Sequence, residues 1–191
     1  MTHDPHWGGT IRKLWSTESD KLRDHLLRLD PANRRLRFAH AVSDRFLTDY
    51  ASRLPEMGSV VYAYIEDGHV RAVAELRRLH HDWGHEAEAA FSVETPWQNR
   101  GIGNELMGRV IRSARNRGIH RLMMSCLAEN RKIPAIARKH DAHLSFEQGD
   151  VIGIIAPDAA TALSQIEEGL GDEFDFLIAV LNLSTTKKKV A

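Results

Sequence analysis

One cysteine among 191 residues, Cys126, excludes an intramolecular disulfide and suits a reducing compartment. Neither charge is in excess. The 26 Lys and Arg balance 26 Asp and Glu, so no global field draws the chain to nucleic acid or to an anionic membrane. No apolar run reaches the roughly 20 residues needed to cross a bilayer. The opening Met1-Thr2-His3-Asp4-Pro5-His6 lacks the apolar stretch of a secretory signal. No segment repeats another. What remains, 42% apolar and 27% charged, is an ordinary globular composition, long enough for one substantial core and short for two domains. The expectation is a cytoplasmic protein that binds neither nucleic acid nor membrane.

The chain is organised around residues 91–118. Phe91-Ser92-Val93 is a short apolar strand, and Gln98-Asn99-Arg100-Gly101-Ile102-Gly103-Asn104 is a glycine-containing loop. Leu106, Met107, Val110, Ile111 and Ala114 then recur at helical spacing, opposite Arg109, Arg112 and Arg115, with Gly118 placed as a left-handed C-cap. A loop that opens straight into a helix offers unpaired backbone N–H groups at the positive end of the helix dipole, a natural seat for phosphate. A Walker loop is excluded, because Asn104-Glu105 stands where Lys and Ser or Thr would be needed. So is a dinucleotide fingerprint, whose third glycine would fall on Leu106.

On either side the pattern is mixed. Residues 11–15 alternate like a strand. Ser16 or Thr17 can cap a helix with Leu22, Leu26 and Leu29 on one face, Asp30-Pro31 starts another, and Ser43 caps a third carrying Phe46, Leu47, Tyr50 and Leu54, ended by Pro55 and Gly58. Residues 60–65 and 70–79 read as strands about an Asp67-Gly68 hairpin turn, and 86–94 as the next strand. Residues 121–127 form a fifth strand, 130–140 a short helix, and 143–146 with 151–155 a last hairpin. The order β-α-α-β-β-β-α-β-α-β-β predicts a mixed α/β sheet. Beyond Pro157, residues 159–170 and 174–183 read as two helices before the solvated Lys187-Lys188-Lys189.

The loop, with its pattern Gln98-x-x-Gly101-x-Gly103, resembles the pyrophosphate loop of the GNAT superfamily of acyl-CoA N-acyltransferases. The element order is also the GNAT order, from about residue 11 to 155. Two more blocks, residues 27–38 (LRLDPANRRLRF) and 86–93 (EAEAAFSV), look like a bacterial branch that includes protein-lysine acetyltransferase catalytic domains. The resemblance implies a GNAT-type, mostly antiparallel sheet over residues 1–156, with a helical extension and basic tail over 157–191. It implies acetyl-CoA as cosubstrate, no metal, and an amine acceptor attacking directly in a ternary complex. Backbone amides from Gln98, Asn99, Arg100, Gly101, Ile102, Gly103 and Asn104 would hold the pyrophosphate. Val93 and Thr95 would meet the pantetheine arm as an added strand would. Asn130 matches a position that contacts the CoA arm and would equally serve as an N-cap. Asn99 stands where Gly is most common, an exchange that costs little if its backbone angles are unexceptional.

An amine with a pKa of about 10.4 must lose a proton before it attacks the thioester, so a carboxylate base is needed. Glu88 lies where the resembling branch carries its base, and Glu75 on the neighbouring strand is the second candidate. The general acid departs from the family pattern. Its usual Tyr position is Ala137, and Asp141-Ala142 replaces the usual Gly-Phe. Solvent or another residue would then protonate CoA. Ser125 and Cys126 are near in sequence, but Cys126 reads better as core. These departures leave a rival open, a catalytically silent acyl-CoA-binding module. His80, His81 and His85 read as a polar loop rather than as metal ligands, and Arg34, Arg35 and Arg37 as a solvated helix face, the alternative being that one of them lines the acceptor cleft. Leu177, Ile178, Val180 and Leu181 are too apolar to be left in water, so the extension is expected to dock on the core or on a partner subunit, as in a homodimer.

Overall fold

The computed structural model describes residues 7–53 and 58–188, the side chains of Ile178 and of residues 181–188 excepted. The readings made of residues 1–6, of Leu54 and Pro55, of the side chains of Ile178, Leu181 and Lys187-Lys188, and of Lys189 lie outside that description.

Seven strands form one sheet in the order β1-β2-β3-β4-β5-β7-β6. They are β1 (Thr10–Leu14), β2 (Val60–Glu66), β3 (His69–Arg78), β4 (Glu86–Val93), β5 (Arg121–Leu127), β6 (His143–Glu147) and β7 (Asp150–Ile155). All neighbours are antiparallel except β4 and β5. The Asp67-Gly68 turn joins β2 to β3 with both residues at positive φ, 51° and 74°, as the tightest hairpin turns require. Three helices lie between β1 and β2, as the three cap signals indicate and one more than the element order counted: α1 (Ser19–Arg28), α2 (Pro31–Phe38) and α3 (Asp44–Arg53). Proline at the first position of α2 does not continue α1. Asp30 restarts the helix by accepting the Asn33 amide, and Ser43 accepts the Phe46 amide to start α3.

The helices divide the core. Against one sheet face, α4 (Ile102–Asn116) buries Ile102, Leu106, Met107, Val110 and Ala114 beside Ala72, Ala74, Leu76, Ala87 and Ala89, with α5 (Lys132–Arg138) at its flank. Against the other, α1 and α3 bury Leu22, Leu26, Leu29, Leu47 and Tyr50 on Val61, Ala63, Val70 and Val73. Small residues on β3 and β4 let α4 sit close to the sheet, which fixes where its N-terminus emerges.

The extension is one helix, α6 (Ala162–Lys188), rather than two. It runs unbroken through Gly169 and Gly171 and docks on the core by polar groups. Asp175 accepts the Lys13 backbone amide at 2.7 Å and so covers part of edge strand β1. Asp172 pairs with the Lys13 amine, and Glu168 receives Ser113, Asn116 and Arg117. Phe176 meets Trp15 edge-on at 5.2 Å between centroids. Among the described residues no helix is long and apolar enough to cross a membrane.

Candidate active site

The parallel strands β4 and β5 pair only at Glu86–Arg121, Ala87–Leu122 and Glu88–Met123, and beyond that they part. The Glu94 amide donates to the Arg71 carbonyl on the β3 side. Strand alternation therefore turns the amides of Phe91 and Val93 the other way, into the gap left by β5. The wedge is a sheet edge inside a sheet, the condition for an extended ligand to add its own hydrogen bonds. Glu88 lies at its vertex.

The loop closes the open end. Gly101, at φ 88°, is the N-cap of α4, and the first N–H groups of that helix have no carbonyl within the helix to pair with. Asn99 is also left-handed, at φ 60°. Its angles are therefore exceptional, and the exchange for Gly carries a strain that Asn bears better than most residues. The loop is braced from beneath. Trp7 donates its indole N–H to the Arg100 carbonyl at 2.8 Å, and Arg100 donates back to the Trp7 carbonyl at 3.1 Å. The Gln98 amide spans the gap, donating to the Val93 carbonyl and to Asn33 Oδ1 while accepting from Lys132.

Together these elements enclose a cavity of about 300 Å³. Of the residues expected at the cofactor, Val93, Gln98, Asn99, Gly101, Gly103, Asn104 and Asn130 line it, whereas Thr95, Arg100 and Ile102 do not. Thr95 instead donates to Asp30, and Ile102 is core. Asn130 also turns its Oδ1 to the amides of Lys132 and Ile133 at the start of α5, whose N-cap position is Arg131. Lys132 and Lys139 line the cavity as well, cations that the sequence reading missed. Asn104 Oδ1 and Arg37 Nε, both belonging to lining residues, are buried without a partner among the described residues. They offer a ligand one acceptor and one donor.

On the α1–α3 side of the wedge the register places Glu88 beside Arg77, Ala90 beside Glu75 and Ser92 beside Val73. Glu88 pairs with Arg77 at 3.5 Å and keeps 31% of its side chain in solvent. Glu75 is fully buried, accepting from Tyr50 and, at 2.7 Å, from Arg37. Arg37 is no solvated residue, since only 6% of its side chain is exposed. Burial works to lower its pKa, but the Glu75 and Tyr50 oxygens outweigh that and keep it protonated. Arg34 is turned inward too, onto the Leu27 and Leu29 carbonyls that end α1, while Arg35 ties α2 to Glu129.

A second buried group escaped the sequence reading. His25, on α1, takes Ser92 at 2.9 Å on Nε2 and Glu94 at 3.2 Å on Nδ1. Burial pushes the imidazole pKa down, against the pull of Glu94. Burial also works to raise the Glu94 carboxyl, but His25 and Arg28 outweigh it and hold it below the ordinary range. Cys126 is buried, and burial pushes its thiol up to about 11, which fits a core role rather than a thiolate one. Ala137 is wholly buried. Among the described residues no three His, Cys, Asp or Glu side chains come together as a metal site.

Known structures share this fold. The GNAT domain of S. lividans PAT is 22% identical, with a TM-score of 0.65 over 78% of this chain and 90% of that one. The putative acetyltransferase yncA of Salmonella typhimurium, described with its cofactor acetyl-CoA, is 16% identical, with a TM-score of 0.61 over 81% and 96%. A cAMP-binding acyltransferase from Mycobacterium smegmatis is 26% identical, with a TM-score of 0.54 over 78% of this chain but 44% of its own length. Among curated proteins none matches the sequence. The family model described as Acetyltransferase (GNAT) family matches residues 20–140, well over half of the chain. The chain therefore belongs to the GNAT acetyltransferase family, whose enzymes use acetyl-CoA as cosubstrate.

Proposed function

We propose that the protein transfers the acetyl group of acetyl-CoA to a primary amine, a small molecule or a protein lysine, by direct attack in a ternary complex within a cytoplasmic, single-domain fold. The observation that carries this reading is the wedge. It sets unpaired strand amides, a helix N-terminus and a cavity in one line, and it is open to both faces of the sheet. In this reading the pantetheine arm lies along Val93, the pyrophosphate sits on the amides of residues 98–104, and Lys132 and Lys139 offset the phosphate charge. The amide of Phe91 or Val93 stabilises the thioester oxyanion. The acceptor enters from the α2 side, past Asn33, Leu36 and Arg37.

Glu88 is the base. It lies at the vertex on the acceptor face, outside the cavity lining, and keeps contact with solvent, so in this reading water relays the proton from the amine to it and outward. Glu75 is held by two donors in a closed network, which suits it to positioning Arg37 instead. No side chain is assigned to protonate CoA, because a thiolate leaves readily and takes its proton from solvent.

Calorimetry should show acetyl-CoA binding that persists in EDTA, and thiol release with a panel of amines and lysine peptides should identify the acceptor class. Binding without turnover on any amine would refute the transferase reading while sparing the cofactor site. Absence of binding would refute both.

A further inference from the structure

Helix α6 is amphipathic in the reverse of the usual sense. The side it turns to the protein carries Ser164, Glu168, Asp172 and Asp175. The opposite side carries Leu163, Ile166, Leu170, Phe174 and Leu177, each 58–66% exposed. At 3.6 residues per turn these five fall within an arc of about 80°. A surface helix ordinarily hides such a stripe, and a contiguous exposed patch of this kind marks an interaction site.

The order of the stripe says what covers it. Its steps are three, four, four and three residues, averaging the 3.5-residue repeat of helices that pack at a shallow left-handed crossing. The steps are also symmetric about Leu170. Ile166 and Phe174 stand four residues to either side, Leu163 and Leu177 seven, and Gly169 and Gly171 one. Two copies laid antiparallel with Leu170 on the two-fold axis would face Leu163 with Leu177, Ile166 with Phe174, and Leu170 with itself. That is the self-complementarity an isologous interface requires.

The glycines are a separate observation. Glycine is unfavourable inside a helix, and a Cβ added at Gly169 or Gly171 would meet nothing within 4 Å in this chain. No contact among the described residues calls for them, and they leave both flanks of Leu170 free of side chains. Five large side chains from each copy, burying on the order of 100 Å² apiece, bring the total near the roughly 1,200 Å² of the smaller specific interfaces. A lipid surface fits less well. From Pro157 to Thr186 the chain has six acidic residues and no Lys, Arg or His, and an interfacial helix relies on basic flanks.

We propose that α6 is a dimerisation helix, pairing antiparallel with α6 of a second copy about Leu170, with the catalytic cavities outside the interface. Sedimentation equilibrium of the full chain at about 50 µM should give a dimer. Leu170→Lys, which places two cations on the axis, should raise the dissociation constant on the order of a hundredfold or more while acetyl-CoA binding is retained. Leu163→Cys and Leu177→Cys provide a second measurement that does not depend on destabilising the fold. Mixed and oxidised, they should cross-link to each other in preference to themselves, and buried Cys126 should not compete. A monomer at that concentration, a dimer indifferent to Leu170→Lys, self-cross-linking of each cysteine variant, or co-sedimentation with phosphatidylcholine–phosphatidylglycerol vesicles in place of dimerisation would each overturn the proposal.

Discussion

Glu88 and Glu75 stand on the same face of adjacent strands, yet the structure predicts opposite consequences when each is changed to Gln. Glu75→Gln leaves Arg37, 6% exposed, without its counter-charge. Breaking one side of a buried pair costs about 3–5 kcal/mol, and in a chain of this size each kcal/mol lowers Tm by about 2–4 °C. A loss of roughly 6–20 °C follows from those two ranges. The Glu88–Arg77 pair is long and 31% exposed on the carboxylate side, so its loss should cost at most about 1 kcal/mol. Turnover should behave in the reverse way. Removing a general base typically slows a reaction by about 10²–10⁴, which is roughly 3–5 kcal/mol of barrier. Glu88→Gln should therefore melt almost normally, bind acetyl-CoA almost normally and turn over poorly. The deficit should shrink at high pH, where the acceptor amine is already neutral. Glu75→Gln, assayed well below its melting point, should keep much more of its turnover. Scanning calorimetry and initial rates from pH 7 to 10 measure both halves. Normal turnover by a folded Glu88→Gln, or a Glu75→Gln whose rate collapses while it remains folded, would refute the assignment.

Gly101→Ala puts a Cβ at φ 88°, which should cost about 1–2 kcal/mol and weaken acetyl-CoA binding measured by calorimetry. Gly103→Val has to displace the Ile136 methyl that a Cβ would already meet at 3.1 Å, and the same titration should show little or no binding. The His25 and Glu94 pKa values are both lowered in the folded protein, so each contributes stability that is present above its unfolded value and lost as pH falls. Denaturant titrations should show stability declining below about pH 6.5 and more steeply below about 4.3, with the first part reduced in His25→Gln. Deleting α6 after Pro157 uncovers the Lys13 amide and strips Arg117 of Glu168, so the truncated chain should melt earlier and lose solubility.

What could be read in advance was local. Asp30-Pro31, Asp67-Gly68 and Gly101 each suit a cap or a backbone conformation that few residues supply, and the structure uses all three to start or turn the chain where the sequence placed a start or a turn. Asn99 marks the limit of that kind of reading, since Asn is compatible with ordinary and with left-handed angles and only the built loop shows which is used. The buried polar groups around the cavity were not legible. Arg37 sits in a run of arginines and His25 in a helix of charged residues, both patterns of a solvated surface. Each is taken inside by a partner far along the chain, Glu75 at a separation of 38 residues and Glu94 at 69. A window of one or two turns contains nothing that distinguishes such a residue from its exposed neighbours.

The extension inverts the same lesson. Apolar periodicity in residues 159–183 says that something apolar is to be covered, and the economical inference is that this side docks on the core. Apart from Trp15, which meets Phe176, the core beside α6 turns polar groups to it. It presents Lys13 on an edge strand whose amide lacks a neighbouring strand, and Ser113, Asn116 and Arg117 at the end of α4. Those donors need acceptors, and Glu168, Asp172 and Asp175 share one side of the helix. Their partners lie 51 to 162 residues earlier in the chain. Exposed ion pairs add little stability, but Glu168 joins four donors, Tyr62, Ser113, Asn116 and Arg117, with its side chain 10% exposed, and Asp175 satisfies a backbone amide that would otherwise be orphaned. Once those bonds fix the rotation of α6, its apolar stripe has nowhere to face but outward, and the need to cover it passes from the chain to a second molecule.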